Sequence, residues 1–333
     1  MKIMLIGDVH LADRPPSSCT DDYLEDLFNL MDQASVVAKA RSCHAIVQAG
    51  DWFHIKMPSR NSHKLVIRSI EWAANAPCPV YVVPGNHDLS NDRLASLDEG
   101  QPLGAVIRSE SVQMLQGWPK DLSPAKLRIY GVPWLQEWDA EESVADQAVS
   151  DALADYRADS EDSVPFLVVT HAPFYPPGKE PTYENAEYYS PEKFALHMDG
   201  HGSVYHGHIH EQHPEYISGG VRFCNNGALS RGSLTEYNLS RPVGVTLWDS
   251  TTGEFEFVPL DAKPASEVFR LKEIGEVKTS QAELDAFLAS IGQTSVEITS
   301  IEAVMDHLKT LNLGKDFERL VEELLIIAKD GTV

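Results

Sequence analysis

Met1-Lys2-Ile3-Met4-Leu5-Ile6-Gly7-Asp8-Val9-His10 opens the chain. Its apolar residues Ile3 to Ile6 run unbroken and stop at a glycine, the pattern of a short strand buried on both faces. A carboxylate and an imidazole follow two residues apart, and in extended backbone such residues project to the same side. The pattern then recurs. Ala45 to Val47 leads to Gly50-Asp51, Val80 to Val83 to Gly85-Asn86-His87-Asp88, Phe166 to Val169 to Thr170-His171, and Ser203 to Tyr205 to Gly207-His208-Ile209-His210. Every strand-like run ends in side chains able to bind a metal. In open α/β sheets ligands sit in the crevice outside the carboxyl ends of the strands, so groups far apart in sequence can meet there.

The donor types narrow the chemistry. Imidazole nitrogen, carboxylate oxygen and amide oxygen without thiolate suit Mn, Fe, Mg or a non-structural Zn. Two divalent ions bring four positive charges against the two negative charges of Asp8 and Asp51, which leaves a centre suited to a phosphate anion. Ions about 3.5 to 4 Å apart lower the pKa of a shared water and stabilise the leaving oxygen, so no protein nucleophile is needed. The plain alternative is that these residues only make turns after strands, as Asp, Asn and Gly often do.

The ordered blocks GDVH, GDWFH, GNHD, THAPF and HGHIH resemble the calcineurin-like metallophosphoesterases over roughly residues 1 to 230, and within them the Mre11/SbcD nuclease branch. The second block sets that branch apart, because Gly50-Asp51-Trp52-Phe53-His54 runs into Met57-Pro58-Ser59-Arg60 where a protein phosphatase would show Asp-Arg-Gly. The resemblance implies that Asp8, His10, Asp51 and His210 hold one metal, and Asp51, Asn86, His171 and His208 the other, with Asp51 as the bridge. It implies Mn2+ as the leading pair of ions, with Mg2+ or another divalent ion as substitutes. It also implies that His87 faces the substrate and protonates or stabilises the departing 3′ oxygen, with Asp88 orienting it. Imidazole titrates near neutrality, which suits that role. His54 matches a second substrate-facing histidine, although one histidine after an aromatic pair reads equally as a packing residue. His206 is out of phase with the His208 and His210 pair and reads as structural.

The fold implied is α/β, a four-layer α/β/β/α metallophosphoesterase sandwich with a small, mainly helical C-terminal appendage, divided into a nuclease domain over 1–262 and a cap or partner-binding region over 263–333. The function implied is a metal-dependent DNA exonuclease and endonuclease, the nuclease subunit of an ATPase complex in DNA repair, recombination or replication. Partners would be DNA and an SMC-like ATPase of the Rad50/SbcC type docked on the C-terminal helices. A homodimer is also raised by the branch, without an assignable surface. Two other readings stay open: a small-molecule or cyclic-nucleotide phosphodiesterase on the same metal core, and a non-catalytic scaffold.

Charge bears on the choice. A formal charge of −23 opposes DNA binding, which draws affinity from Lys and Arg against phosphates. Its distribution helps, since residues 54 to 70 hold Lys56, Arg60, Lys64 and Arg68 and no acid. A helix running from Pro58 would align Arg60, Lys64 and Arg68 at i, i+4 and i+8. Lys56, Arg60 and Lys64 are therefore the DNA-binding candidates, and an ordinary solvated helix face is the competing reading. Glu137 to Asp162 carries ten acids against the lone Arg157, so much of the negative charge can sit elsewhere.

The remaining sequence is consistent with an enzyme of ordinary composition. At 333 residues and 43% hydrophobic it can bury a large core, and no apolar run approaches a membrane span. Cys19, Cys43, Cys78 and Cys224 lack metal or redox spacing, which together with the absence of a leader pattern predicts a cytoplasmic setting. Asp21 to Ala40 is a long amphipathic helix candidate, and the first ninety residues alternate strand and helix, implying parallel pairing. The latter half reads as more antiparallel, with Val243 to Trp248 and Glu254 to Val258 flanking a hairpin turn. Tyr175 to Pro191 reads as a surface loop beside the cleft. Beyond Pro264 three apolar stripes at helical spacing follow, around Leu284 to Ile291, Ile301 to Leu308 and Phe317 to Ala328. Packing of this tail on its own domain competes with the docking role.

Overall fold

The computed structural model describes residues 1–119, 128–154, 166–181 and 187–271. The chain divides into two units, Met1–Phe269 and Arg270–Val333. The three helical stripes of the tail lie outside the described residues, as do parts of the acidic stretch and of the Tyr175 to Pro191 loop.

Two sheets build the first unit. The six-stranded sheet has the order β11-β10-β1-β2-β3-β4, with β1 Lys2–Ile6, β2 Ala45–Gln48, β3 Val80–Val82, β4 Val112–Met114, β10 Gly244–Asp249 and β11 Phe255–Pro259. The five-stranded sheet has the order β5-β6-β7-β9-β8, with β5 Ile129–Val132, β6 Leu167–His171, β7 Ser203–Gly207, β8 His213–Ser218 and β9 Val221–Asn225. Strand alternation sorts the core into layers. Ile3, Leu5, Val47, Tyr81 and Trp248 of one sheet pack with Ile129, Leu167, Val169 and Tyr205 of the other, so the sheets lie face to face. Met4, Ile6 and Ile46 point the opposite way, into a cluster with Leu27, Phe28 and Met31 of α1, Tyr23–Ala40. Helices thus cover the outside, giving the α/β/β/α sandwich.

Three details differ from the sequence reading. The second sheet is mostly parallel, since β5, β6, β7 and β9 run the same way and only β8 reverses; the hairpin β10–β11 and its pairing with β1 account for the other antiparallel ladders. The helix foreseen from Pro58 does not form as one piece. Pro58–Arg60 makes a single 3-10 turn, Asn61 is extended, and α2 runs over His63–Ala74. Ser62 is the reason: its hydroxyl accepts from Leu65 N at 3.1 Å as an N-cap, while Asp13 accepts from both Ser62 N and Ser62 Oγ at 2.6 Å. The basic stripe is thereby split. Finally, Val268 and Phe269, which the sequence reading placed in the 263–333 region, are buried within the first unit, with Thr20 N donating to Val268 O at 2.9 Å.

Candidate metal centre

The predicted ligands gather where β1, β2, β3, β6 and β7 end. His171 is the last residue of β6, and the others sit on the turns just beyond their strands. The turns are stapled to one another before any ligand contact is made. Val9 N and His10 N both donate to Asp51 O, at 3.1 and 2.9 Å, and Leu229 N donates to Asp8 O at 2.8 Å. Gln48, a buried amide among apolar neighbours, accepts from Gly50 N at 3.1 Å and donates to Gly7 O at 3.3 Å and to Gly50 O. Below them Trp52 is fully buried with its Nε1 on Ser69 Oγ at 3.3 Å, an anchor whose truncation to Ala would cost about 3–5 kcal/mol.

Backbone strain marks the same positions. His10, Asp51 and His208 adopt left-handed φ of 53°, 56° and 76°, each at a cost of about 1–3 kcal/mol that surrounding structure must hold in place. Gly50, at φ 102°, and Gly85 lie where a Cβ would overlap His171 and Asp51 respectively, which explains the glycine ahead of the ligand in both blocks.

Asp51 lies between two sets of donors. On one flank the ligand atoms of Asp8, His10, Asp51 and His210 all fall within 4.8 Å of one another. His10 Nε2 lies 3.6 Å from Asp51 Oδ2, 2.9 Å from His210 Nε2, and His210 Nε2 is 3.4 Å from Asp8 Oδ2. On the other flank His171 Nε2 is 3.4 Å from Asp51 Oδ1 and 3.1 Å from Asn86 Oδ1, with the His171 and His208 rings edge to face at 5.2 Å. His171 Nδ1 donates to Ala49 O at 2.7 Å, which fixes the tautomer and presents Nε2 inward. On the Asp8 flank, nitrogen and oxygen donors converging without sulfur fit a divalent cation.

Titration differs across the cluster. Burial pushes His10 down to about 3 against the pull of Asp51. His171 also suffers burial, yet the Asp51 carboxylate outweighs it and lifts the imidazole to about 9. His210 is likewise raised, burial opposing and Asp8 prevailing. Asp51 is held well below the ordinary carboxylate range because His171 and His10 overcome its desolvation, and Asp8 is lowered mainly by His210 against the same penalty.

His87 and His54 stand beside this centre. His87 Nδ1 donates to His54 O at 2.6 Å, its N–H donates to Asp51 Oδ1 at 2.8 Å, and its ring stacks on His54 at 5.6 Å and 15°. His54 Nδ1 lies 3.5 Å from His10 Nδ1, and burial followed by His87 lowers its pKa. Asp88 does not orient His87. Its carboxylate is buried and accepts from Trp52 N, Phe53 N and Gly85 N at 3.3, 3.2 and 3.0 Å, tying the Asn86 turn to the Asp51 turn. Burial, then Asp51, raises it to about 7. The His54 carbonyl, a backbone group, does the orienting. His206 is fully buried against Phe174 with burial holding it at about 3, a packing residue as read.

The basic candidates separate. Lys56 pairs with Asp92 at 3.2 Å, and Lys64 is exposed on the first turn of α2. Arg68 turns away, pairing with Glu25 at 2.7 Å and lying 3.9 Å over the Phe28 ring of α1. Arg60 instead lines a cleft of about 520 Å³ with Arg14, Ser59, Ser62, His54 and one acid, Asp13. Among the described residues, the guanidinium groups of Arg14 and Arg60 engage no acid, whereas Arg41, Arg68, Arg93, Arg108 and Arg222 are all paired. Arg14, Gln48 and Trp134, whose ring lies 4.8 Å from His208, escaped the sequence reading. Only Gln48 left a signal, as a polar residue closing an apolar run.

The pattern of the calcineurin-like phosphoesterases matches residues 1–212. The DNA double-strand break repair protein Mre11 of Saccharolobus solfataricus is 22% identical over 141 residues, covering 40% of this chain and 33% of that protein, so the match spans about a third of the relative. Two solved structures, an archaeal phosphodiesterase and a protein of Thermus thermophilus, align over 78% of this chain and 100% and 98% of theirs, at 13% and 14% identity with TM-scores of 0.38 and 0.47. Among the described residues no helix is long and apolar enough to cross a membrane.

Proposed function

Because the chain belongs to the calcineurin-like phosphoesterase family, we propose that it is a two-metal DNA nuclease, cleaving phosphodiester bonds as an exonuclease and endonuclease. The observation that carries the two-metal part is Asp51, whose Oδ2 faces His10 while its Oδ1 faces His171. Asp8, His10, Asp51 and His210 would hold one ion and Asp51, Asn86, His171 and His208 the other. Two Mn2+ ions, or Mg2+ or another divalent metal in their place, would supply Lewis acidity toward the phosphoryl oxygens and lower the pKa of an attacking water. The side chains do the rest. His87, with Nδ1 committed to a carbonyl that can only accept, keeps Nε2 to protonate the departing oxygen. His54, stacked on it, excludes water from one face. Arg14 and Arg60, paired with no acid although Asp13 lines the same cleft, supply the local positive field a polyanion requires in a protein of net charge −23.

The test compares substrates. Incubated with Mn2+, the protein degrades labelled linear duplex or single-stranded DNA, and His87→Ala removes that activity. Turnover confined to bis(p-nitrophenyl) phosphate or a cyclic nucleotide would instead assign a small-ester phosphodiesterase. We extend the proposal to assembly in a repair, recombination or replication complex: the region after Leu271 docks on the coiled-coil root of an SMC-like ATPase. Pulldown of such an ATPase by the full chain, lost on truncation after Leu271, supports docking; equal recovery rejects it.

A further inference from the structure

Glu187 stands at the second flank without a place in the family's ligand pattern. Its Oε2 lies 2.6 Å from His208 Nε2. The two residues arrive from different elements, Glu187 ahead of the Pro191–His197 helix and His208 just beyond β7, so their meeting is a product of the fold. The flanks of Asp51 are also unequal in charge. One brings Asp8 in addition to the shared Asp51 carboxylate, while the other, with His171, His208 and Asn86, has no carboxylate of its own. A cation there lacks the charge compensation its neighbour receives. We infer that Glu187 is an eighth ligand, a carboxylate that completes the centre formed by His171, His208, Asn86 and Asp51. The inference rests on the two-metal reading above. A carboxylate among imidazoles shifts a site toward hard ions such as Mn2+ or Mg2+, so Glu187 also bears on which metal this flank accepts.

Mn2+ binding to the full chain, followed by the electron paramagnetic resonance signal of free Mn2+, tests this without any substrate. The wild type is expected to take up two ions. Glu187→Gln, which keeps shape and loses charge, should weaken one of them at least tenfold and leave the other unchanged, because loss of groups one step further out already costs about 10- to 100-fold in affinity. Glu187→Asp should recover part of the loss. Unchanged binding by Glu187→Gln overturns the inference, and so does tighter binding, which would make Glu187 a competitor for His208. A wild type that binds fewer than two ions overturns the two-metal reading itself, a separate failure. Unchanged thermal melting of both metal-free variants shows that folding is intact.

Discussion

The two flanks of Asp51 hold the same kinds of side chain in opposite settings. On the Asp8 flank His10 is driven to about 3, although His210 beside it is raised by Asp8. On the Asn86 flank His171 is fully buried and raised to about 9. Beyond the first flank lie His54 and the cleft of Arg14 and Arg60; against the second lies the carboxylate of Glu187. Residue type does not decide the charge of these imidazoles. The balance of burial, carboxylates and neighbouring imidazoles does: His210 and His87 add to the burial of His10, whereas Asp51 and Asp8 outweigh the burial of His171, and the two arginines and Glu187 give the surroundings a cationic side and an anionic side.

The harshest way to break the comparison is to remove what the flanks share. Asp51→Ala takes a donor from both sets and the acceptor for His87 N, so several kcal/mol of stabilisation disappear and the rate falls by about three orders of magnitude or more. Steady-state hydrolysis together with metal uptake checks it, and the expected result is loss of both. His87→Ala should separate them: a fall of about 10²- to 10⁴-fold in rate, as for loss of a general acid, with metal uptake retained on both flanks. Loss of uptake in that variant would make His87 a structural support and not the proton donor.

How much of this could be read from sequence follows from what is local. Each ligand block is a strand, a glycine and a donor within a few residues, so Asp8, Asp51, Asn86 and His208 announced themselves. The sandwich followed, since such runs have few ways to meet. What failed depends on which elements become neighbours. Proline at position 58 argued for a helix start, but Asp13, forty-nine residues away, fixes Ser62 as the cap. Arg68 looked available until α1 placed Glu25 beside it. Asp88 looked like the partner of His87, yet a backbone carbonyl holds that ring, and carbonyls leave no mark in a sequence.

Proton release sharpens the contrast between the flanks. His171 must be neutral to bind metal and is held at about 9, so at pH 7 loading its flank releases close to one proton, while His10, at about 3, releases none. Metal affinity on the Asn86 flank should therefore climb as pH rises toward 9. Calorimetry in two buffers of different ionisation heat counts the protons. The metal-free protein moves the other way. The folded value of His171 lies above its ordinary 6.5, so its stabilising contribution is complete below about 6.5 and is lost as pH rises through about 9. Melting of the metal-free protein should accordingly drop between pH 7 and 10, and the drop should vanish when metal is bound. Flat melting in the metal-free state would mean that Asp51 and His171 are not paired in solution.

The smallest effect probes the cationic side alone. Arg14 and Arg60 are exposed, so each is expected to act through counterion release more than through a fixed contact. Arg14→Ala should weaken DNA binding across all sequences and reduce the slope of log affinity against log salt by about one, and Arg60→Ala should do the same. Hydrolysis of bis(p-nitrophenyl) phosphate should be nearly untouched, because a small ester reaches the metals without filling the cleft. The pairing of Lys56 with Asp92 supplies an internal control: Lys56→Ala removes a cation already neutralised at 3.2 Å, and the salt slope should hardly move. If Lys56→Ala lowers the slope as much as Arg14→Ala does, the polyanion runs along the Asp92 side of the centre and the cleft is not its path.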